Sequence, residues 1–120
     1  MASIAFPALA KKTTLSDGTT YGYVASAPAS PDKPTLLLLH GYPSSSFDWR
    51  HQIVSLPKAG FGVIVPDLLG YGDTDSPAEV EAYNMKKMSQ HMSEILDHEN
   101  VSHCIAVSHD WSVFALSLCY

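Results

Sequence analysis

The chain alternates between short apolar runs of strand length and polar stretches rich in turn-forming residues. Thr35-Leu36-Leu37-Leu38-Leu39 is one unbroken run, bounded by Pro34 and by His40-Gly41. A strand without alternation has no polar face to offer to water. It predicts a strand covered on both sides, as in a parallel sheet under helices. Residues 61–66 and 103–107 read the same way. Ahead of them, residues 8–15 and 19–25 flank Asp17-Gly18, a pair suited to a tight hairpin turn, and a loop rich in Pro and Ser follows over 27–34. Between the strands, Ser44-Ser45-Ser46 precedes a helix of about a dozen residues through Leu56, capped by Ser46 or a neighbour. Residues 79–100 predict a second helix, with Met85, Met88, Met92, Ile95 and Leu96 on one face. An apolar helix over 113–118 closes the pattern. The fold class is therefore α/β, a mostly parallel sheet of about five strands with an N-terminal hairpin and flanking helices.

Composition narrows this picture without redirecting it. The 120 residues are 46% hydrophobic and 16% charged, the balance of a globular chain. A net charge of -5 without a basic cluster argues against nucleic acid or an anionic membrane surface as partner. Both cysteines, Cys104 and Cys119, sit in apolar elements, which suits a reduced, cytoplasmic setting. Residues 1–10 lack a basic region ahead of their apolar stretch and make a poor signal peptide. No run approaches the roughly 18 apolar residues that a membrane span needs.

In sheets of this kind chemistry gathers at the carboxyl ends of the strands. Three loops qualify: His40-Gly41-Tyr42-Pro43, residues 66–73, and Ser108-His109-Asp110-Trp111-Ser112. In the last, a reactive side chain flanked by small residues lies on a strand-to-helix turn, the layout of a nucleophile elbow. The tip is an aspartate. A serine nucleophile needs a base to remove its proton, whereas a carboxylate is already anionic and can displace at a saturated carbon. Asp110 at a helix N-terminus has unpaired N–H groups to favour its charge. Simpler readings stand beside this one: Asp110 as a helix cap, Trp111 as core, residues 67–75 and His40 as structural, the methionine stripe as core, and His51, His91 and His98 as surface histidines. Ser108 and Ser112 lack the flanking residues of a serine elbow.

Taken together, Leu39-His40-Gly41-Tyr42-Pro43, Phe47-Asp48-Trp49-Arg50, the segment 67–75 and Ser108 to Ser112 occur in an order that resembles the α/β-hydrolase superfamily, and within it the epoxide-hydrolase branch. The resemblance implies that Asp110 attacks an epoxide to give an enzyme ester, then a diol. The backbone N–H groups of Trp111 and Tyr42 would form the oxyanion hole, with His40, Gly41, Pro43 and His109 in support and Pro43 in the cis form. Serines at 108 and 112 depart from the family's glycines and imply some strain there. Haloalkane dehalogenases, the alternative, use a Trp after the nucleophile and often an Asn after the first His-Gly; Tyr42 at that place favours epoxide. The resemblance implies no cofactor and no metal, a small-molecule substrate, and leaves the oligomeric state open. It places the charge-relay acid, the water-activating histidine and the cap with its acidic tyrosines later in the chain. Residues 1–120 are then expected to be a partial core domain, inactive or single-turnover alone, with strand 103–107 as an exposed edge. A non-catalytic interaction partner is the other expectation.

Overall fold

The computed structural model describes residues 2–112, so the helix expected over 113–118 and Cys119 lie outside the described residues. Five strands form one sheet in the order β1-β2-β4-β3-β5. They are β1 (Ala10–Thr14), β2 (Thr20–Ser26), β3 (Thr35–Leu39), β4 (Gly62–Pro66) and β5 (Cys104–Ser108). β3 lies parallel to both β4 and β5, whereas β2 pairs antiparallel with β1 and with β4. All strands except β2 therefore run the same way.

The apolar run of β3 is explained by its two faces, since successive side chains point to opposite sides of a strand. Leu37 and Leu39 join Tyr21, Tyr23 and Ile64 against Met88, Met92 and Ile95 of helix α3 (Met85–His98). Leu36 and Leu38 turn the other way, with Val24, Val63 and Val65, toward Ile53 of helix α2 (Arg50–Lys58). Ala2, in a short helix α1 (Ala2–Ala5) that the sequence pattern did not signal, closes this second layer. On β5, Cys104 and Ala106 pack into the α3 layer. Ile105 and Val107 are 52% and 37% exposed, and β3 is the strand that β5 pairs with among the described residues.

Local chemistry shifts several expected boundaries. The hairpin loop carries a β-turn in which the Gly18 N–H meets the Leu15 carbonyl, and Leu15 N–H bonds the Thr19 carbonyl. Gly18 has φ 88, the left-handed conformation that such a loop assigns to glycine. After β3 the cap is Ser45, the neighbour of Ser46: its Oγ accepts from Phe47 N–H at 3.2 Å and starts a 3₁₀ turn, Ser46–Trp49, that leads into α2. The helix expected over 79–100 is shorter. Val80–Ala82 is a separate 3₁₀ turn, and α3 begins only at Met85. Asn84 fixes that start, its Oδ1 accepting from Lys86 N–H at 2.9 Å and Lys87 N–H at 3.2 Å.

His91 corrects another expectation. It is 2% exposed, not a surface residue. Its Nε2 lies 2.7 Å from Asp17 Oδ2 and its Nδ1 3.0 Å from the Tyr21 hydroxyl, so it ties α3 to the hairpin loop. His51 and His98 are exposed, as expected of surface positions. Among the described residues no helix is long and apolar enough to cross a membrane.

Candidate active site

The parallel registers of β3, β4 and β5 bring the three candidate loops to one edge of the sheet. Leu39 pairs with Ser108, so the His40 loop and the elbow leave adjacent strands side by side. His109 N–H continues the ladder by bonding the Leu39 carbonyl at 3.1 Å.

The elbow turns on Asp110, whose φ is 60. A non-glycine residue in that region carries strain that the surroundings must hold. Neither serine carries it: Asp110 and Asn100 are the non-glycine residues with positive φ among those described. Ser112 instead stabilises the turn. Its buried Oγ accepts from His109 N–H at 3.1 Å and lies 2.7 Å from the His109 carbonyl and 3.2 Å from the Leu39 carbonyl. Strain expected at Ser108 and Ser112 is thus concentrated at the tip residue.

Gly41 lets the two loops touch. A Cβ at position 41 would lie 2.5 Å from Asp110 Cβ and 3.1 Å from both His109 Nδ1 and the His109 carbonyl. Only hydrogen fits there. The next residue donates: Tyr42 N–H bonds Asp110 Oδ2 at 3.1 Å, and the Tyr42–Pro43 peptide is cis. The Asp110 carboxyl is held below its ordinary range, chiefly by the Trp111 N–H, then by the Tyr42 N–H, with His109 nearby adding in the same direction. The two amides named from the sequence therefore converge on one carboxylate.

His40 sits beneath this loop, fully buried. Its Nε2 accepts from Leu68 N–H at 2.9 Å while its Nδ1 lies 2.9 Å from the Gly41 carbonyl. Only the neutral tautomer with the proton on Nδ1 satisfies both partners. Burial lowers its pKa in the same sense, so the ring stays neutral. Asp67, at the end of β4, anchors the neighbouring loop. Its buried carboxylate accepts from Ser46 N–H at 2.8 Å, Asp73 N–H at 3.1 Å and Ala2 N–H at 3.4 Å. This buried aspartate joins three elements, which agrees with the structural reading of residues 67–75.

Above Asp110 opens a cleft of about 700 Å³ walled by Tyr42, Tyr71, Tyr83, Met85, Met88 and Trp111. The Tyr71 ring stands edge-on to His40, with centroids 5.2 Å apart and planes at 85°, and meets Tyr42 in a second edge contact at 6.4 Å and 72°. Trp111 packs partly into the α3 core layer, and its Nε1 is buried without a hydrogen-bond partner among the described residues. The sequence does not single out Tyr83, gives Tyr71 only as part of the loop 66–73, and signals Met85 and Met88 as core, whereas all four line the cleft. A stripe at helical spacing signals a buried face and does not say which of its residues reach a neighbouring cavity. Among the described residues no three His, Cys, Asp or Glu side chains come together as a metal-binding group.

Comparison with known proteins gives this geometry a lineage. Residues 34–112 match the family model described as alpha/beta hydrolase fold. The chain is 40% identical over 108 residues to the epoxide hydrolase srdG of Neurospora crassa, covering 85% of this chain and 32% of that one. It is 43% identical over 79 residues to the mouse bifunctional epoxide hydrolase 2, covering 66% of this chain and 14% of that protein. The chain thus spans a third or less of the length of these relatives. The crystal structure of an epoxide hydrolase from Vigna radiata superposes with a TM-score of 0.80 at 29% identity, over 92% of this chain and 34% of the other. The loops that the match spans are those that converge on Asp110, and the chain belongs to the alpha/beta hydrolase fold family, as an epoxide-hydrolase-like member.

Proposed function

We propose that Asp110 is a carboxylate nucleophile that opens an epoxide, forming an ester between its carboxyl group and the ring carbon. The observation that carries this reading is the pairing of Asp110, at φ 60, with the Tyr42 N–H and the Trp111 N–H. These amides keep the carboxylate ionised and aimed before reaction. Once the ester has formed, they stand where water attacking its carbonyl would generate an oxyanion, and so stabilise that step. His40, Gly41, Pro43 and His109 hold the two loops in register. Residues 1–120 act in this reading as the attacking part of a core domain. His40 and His91 have both ring nitrogens engaged, so neither is free to activate water. Hydrolysis of the ester requires a general base to activate water.

A halide leaving group is the second reading, favoured by the Trp111 Nε1–H beside the cleft, which has no hydrogen-bond partner among the described residues. That N–H is sealed from solvent, and Tyr42 offers an exposed ring at the neighbouring position; both favour the epoxide. Intact mass spectrometry after incubation with styrene oxide tests the proposal. An increment of one epoxide mass, absent in Asp110→Asn, is expected. Equal labelling of both proteins would sink it.

A further inference from the structure

The cleft in front of Asp110 takes its walls from separate elements. Leu69, Gly70 and Tyr71 come from the loop after β4, and Met85 and Met88 from the start of α3. The loop hangs on β2. Asp67 N–H bonds the Gly22 carbonyl at 2.9 Å, Gly22 N–H bonds Thr74 Oγ1 at 3.0 Å, and Thr20 N–H bonds Asp75 Oδ2 at 2.8 Å. It has no room to slide, since a Cβ on Gly22 would lie 2.5 Å from Asp73 Cβ. Between Thr20 and Gly22 stands Tyr21, fully buried, with its hydroxyl 3.0 Å from His91 Nδ1. His91 lies three residues after Met88 and is buried on the same face of α3. Its Nε2 meets Asp17 Oδ2 at 2.7 Å, so the ring is held from both sides. One unbroken path of bonds thus runs from one wall of the cleft, through β2, to the helix that supplies the other.

Resting on the reading of Asp110 as nucleophile, we infer that Tyr21 and His91 are positioning residues whose bond sets the width of the cleft, and so select epoxides by the size of their apolar substituent. Burial first, then the Asp17 charge, raises the Tyr21 pKa. The phenol therefore keeps its proton and donates it to Nδ1, while Nε2–H donates to the Asp17 carboxylate. Such a bond fixes distance and angle, whereas the apolar contacts around it are non-directional. β2 and α3 share a second bond of the same kind, from the Tyr23 hydroxyl to Glu99 Oε2 at 2.7 Å. Glu99 is the C-cap of α3, at the end away from Met85 and Met88. That bond joins the same two elements without bearing on the cleft.

The test follows labelling of Asp110 on the full 120-residue chain by peptide mapping, with styrene oxide and propylene oxide as the two epoxides. The phenyl group of the first must lie between the walls; the methyl group of the second does not span them. Tyr21→Phe keeps the ring and removes only the hydroxyl, and Tyr23→Phe makes the same change at the remote bond. Tyr21→Phe is expected to lower the styrene-to-propylene rate ratio by roughly tenfold, and Tyr23→Phe to leave it within about twofold. If Tyr21→Phe gives no cooperative melt, Tyr21→Phe combined with His91→Leu takes its place with the same expectation, because it leaves no orphaned polar atom between the two positions. Equal slowing with both epoxides would mean that the bond only holds the fold. A ratio lowered as much by Tyr23→Phe would mean that any bond between β2 and α3 serves, and an unchanged or raised ratio would mean that the link does not reach the cleft; each result overturns the inference. Wild-type labelling of Asp110 by propylene oxide alone also overturns it, while leaving the nucleophile in place. If neither epoxide labels Asp110, the nucleophile reading fails and this one fails with it.

Discussion

Gly41→Ala probes the contact on which the site depends. The added methyl carbon would lie 2.5 Å from Asp110 Cβ, where carbons in contact settle at about 3.5–4.0 Å. The loops must therefore separate by about 1 Å. No flexible side-chain end can give way, because Asp110 Cβ is attached directly to the strained elbow and the His109 carbonyl is a further 3.1 Å neighbour. A separation of that size stretches the Tyr42 N–H to Asp110 bond from 3.1 Å to about 4 Å, beyond hydrogen-bond range. Misplacement of a reacting group by about 1 Å costs on the order of 100-fold in rate. Overpacking of this kind also destabilises by about 1–3 kcal/mol. The assay is the rate of ester formation on Asp110 with styrene oxide, read by mass, alongside a thermal melt. The expected result is a fall of about 100-fold with a lowered but cooperative melt. Labelling at the wild-type rate with an unchanged melt would refute the close approach of the two loops.

Three further outcomes follow from the same contacts. His91→Leu removes the partner of the buried Tyr21 hydroxyl and of Asp17; urea denaturation should show a loss of about 2–3 kcal/mol, and an unchanged midpoint would contradict the buried link. Asp67→Ala strands the amides of Ser46 and Asp73, with an expected loss of about 3 kcal/mol by the same method; a loss below about 0.5 kcal/mol, the range of a surface substitution, would refute the anchor. The pH dependence has a worked sign. His40 has a folded pKa below its unfolded one, so the stability it contributes is present above about pH 6.5 and is lost as pH falls from there. Asp17 is held well below its ordinary range, chiefly by its bond to His91, and its contribution is lost only as pH falls below about 4. Melting temperature should therefore decline in two stages on acidification, and a flat profile from pH 7 to pH 5 would contradict the neutral His40.

Much of this structure was legible in the sequence because its strongest signals are local. The run of leucines in β3 has no polar face, so burial on both sides followed directly. The elbow was legible because small residues surround an aspartate directly after an apolar strand, and the structure puts that aspartate at φ 60. Elsewhere, distant partners decided the outcome. His91 looked like a surface histidine because Asp17 and Tyr21, its partners, lie some seventy positions away in sequence. The expected helix runs back to residue 79 although its apolar face begins at Met85, and the cap geometry at Asn84 shows where the helix starts. Tyr71 lies in the 66–73 loop that the sequence marks, but its own side chain carries no signal; its place in the cleft with Asp110 arises from the register of β3 against β4 and β5.

The most direct test of the account is the position and bond type of the adduct left by an epoxide. Peptide mapping of the treated chain should find the modification on the peptide that contains Asp110. Hydroxylamine should release it and leave a hydroxamate, the mark of a carboxylate ester. Modification confined to Cys104, Cys119 or the histidines, and resistant to hydroxylamine, would contradict the assignment of Asp110 as the nucleophile.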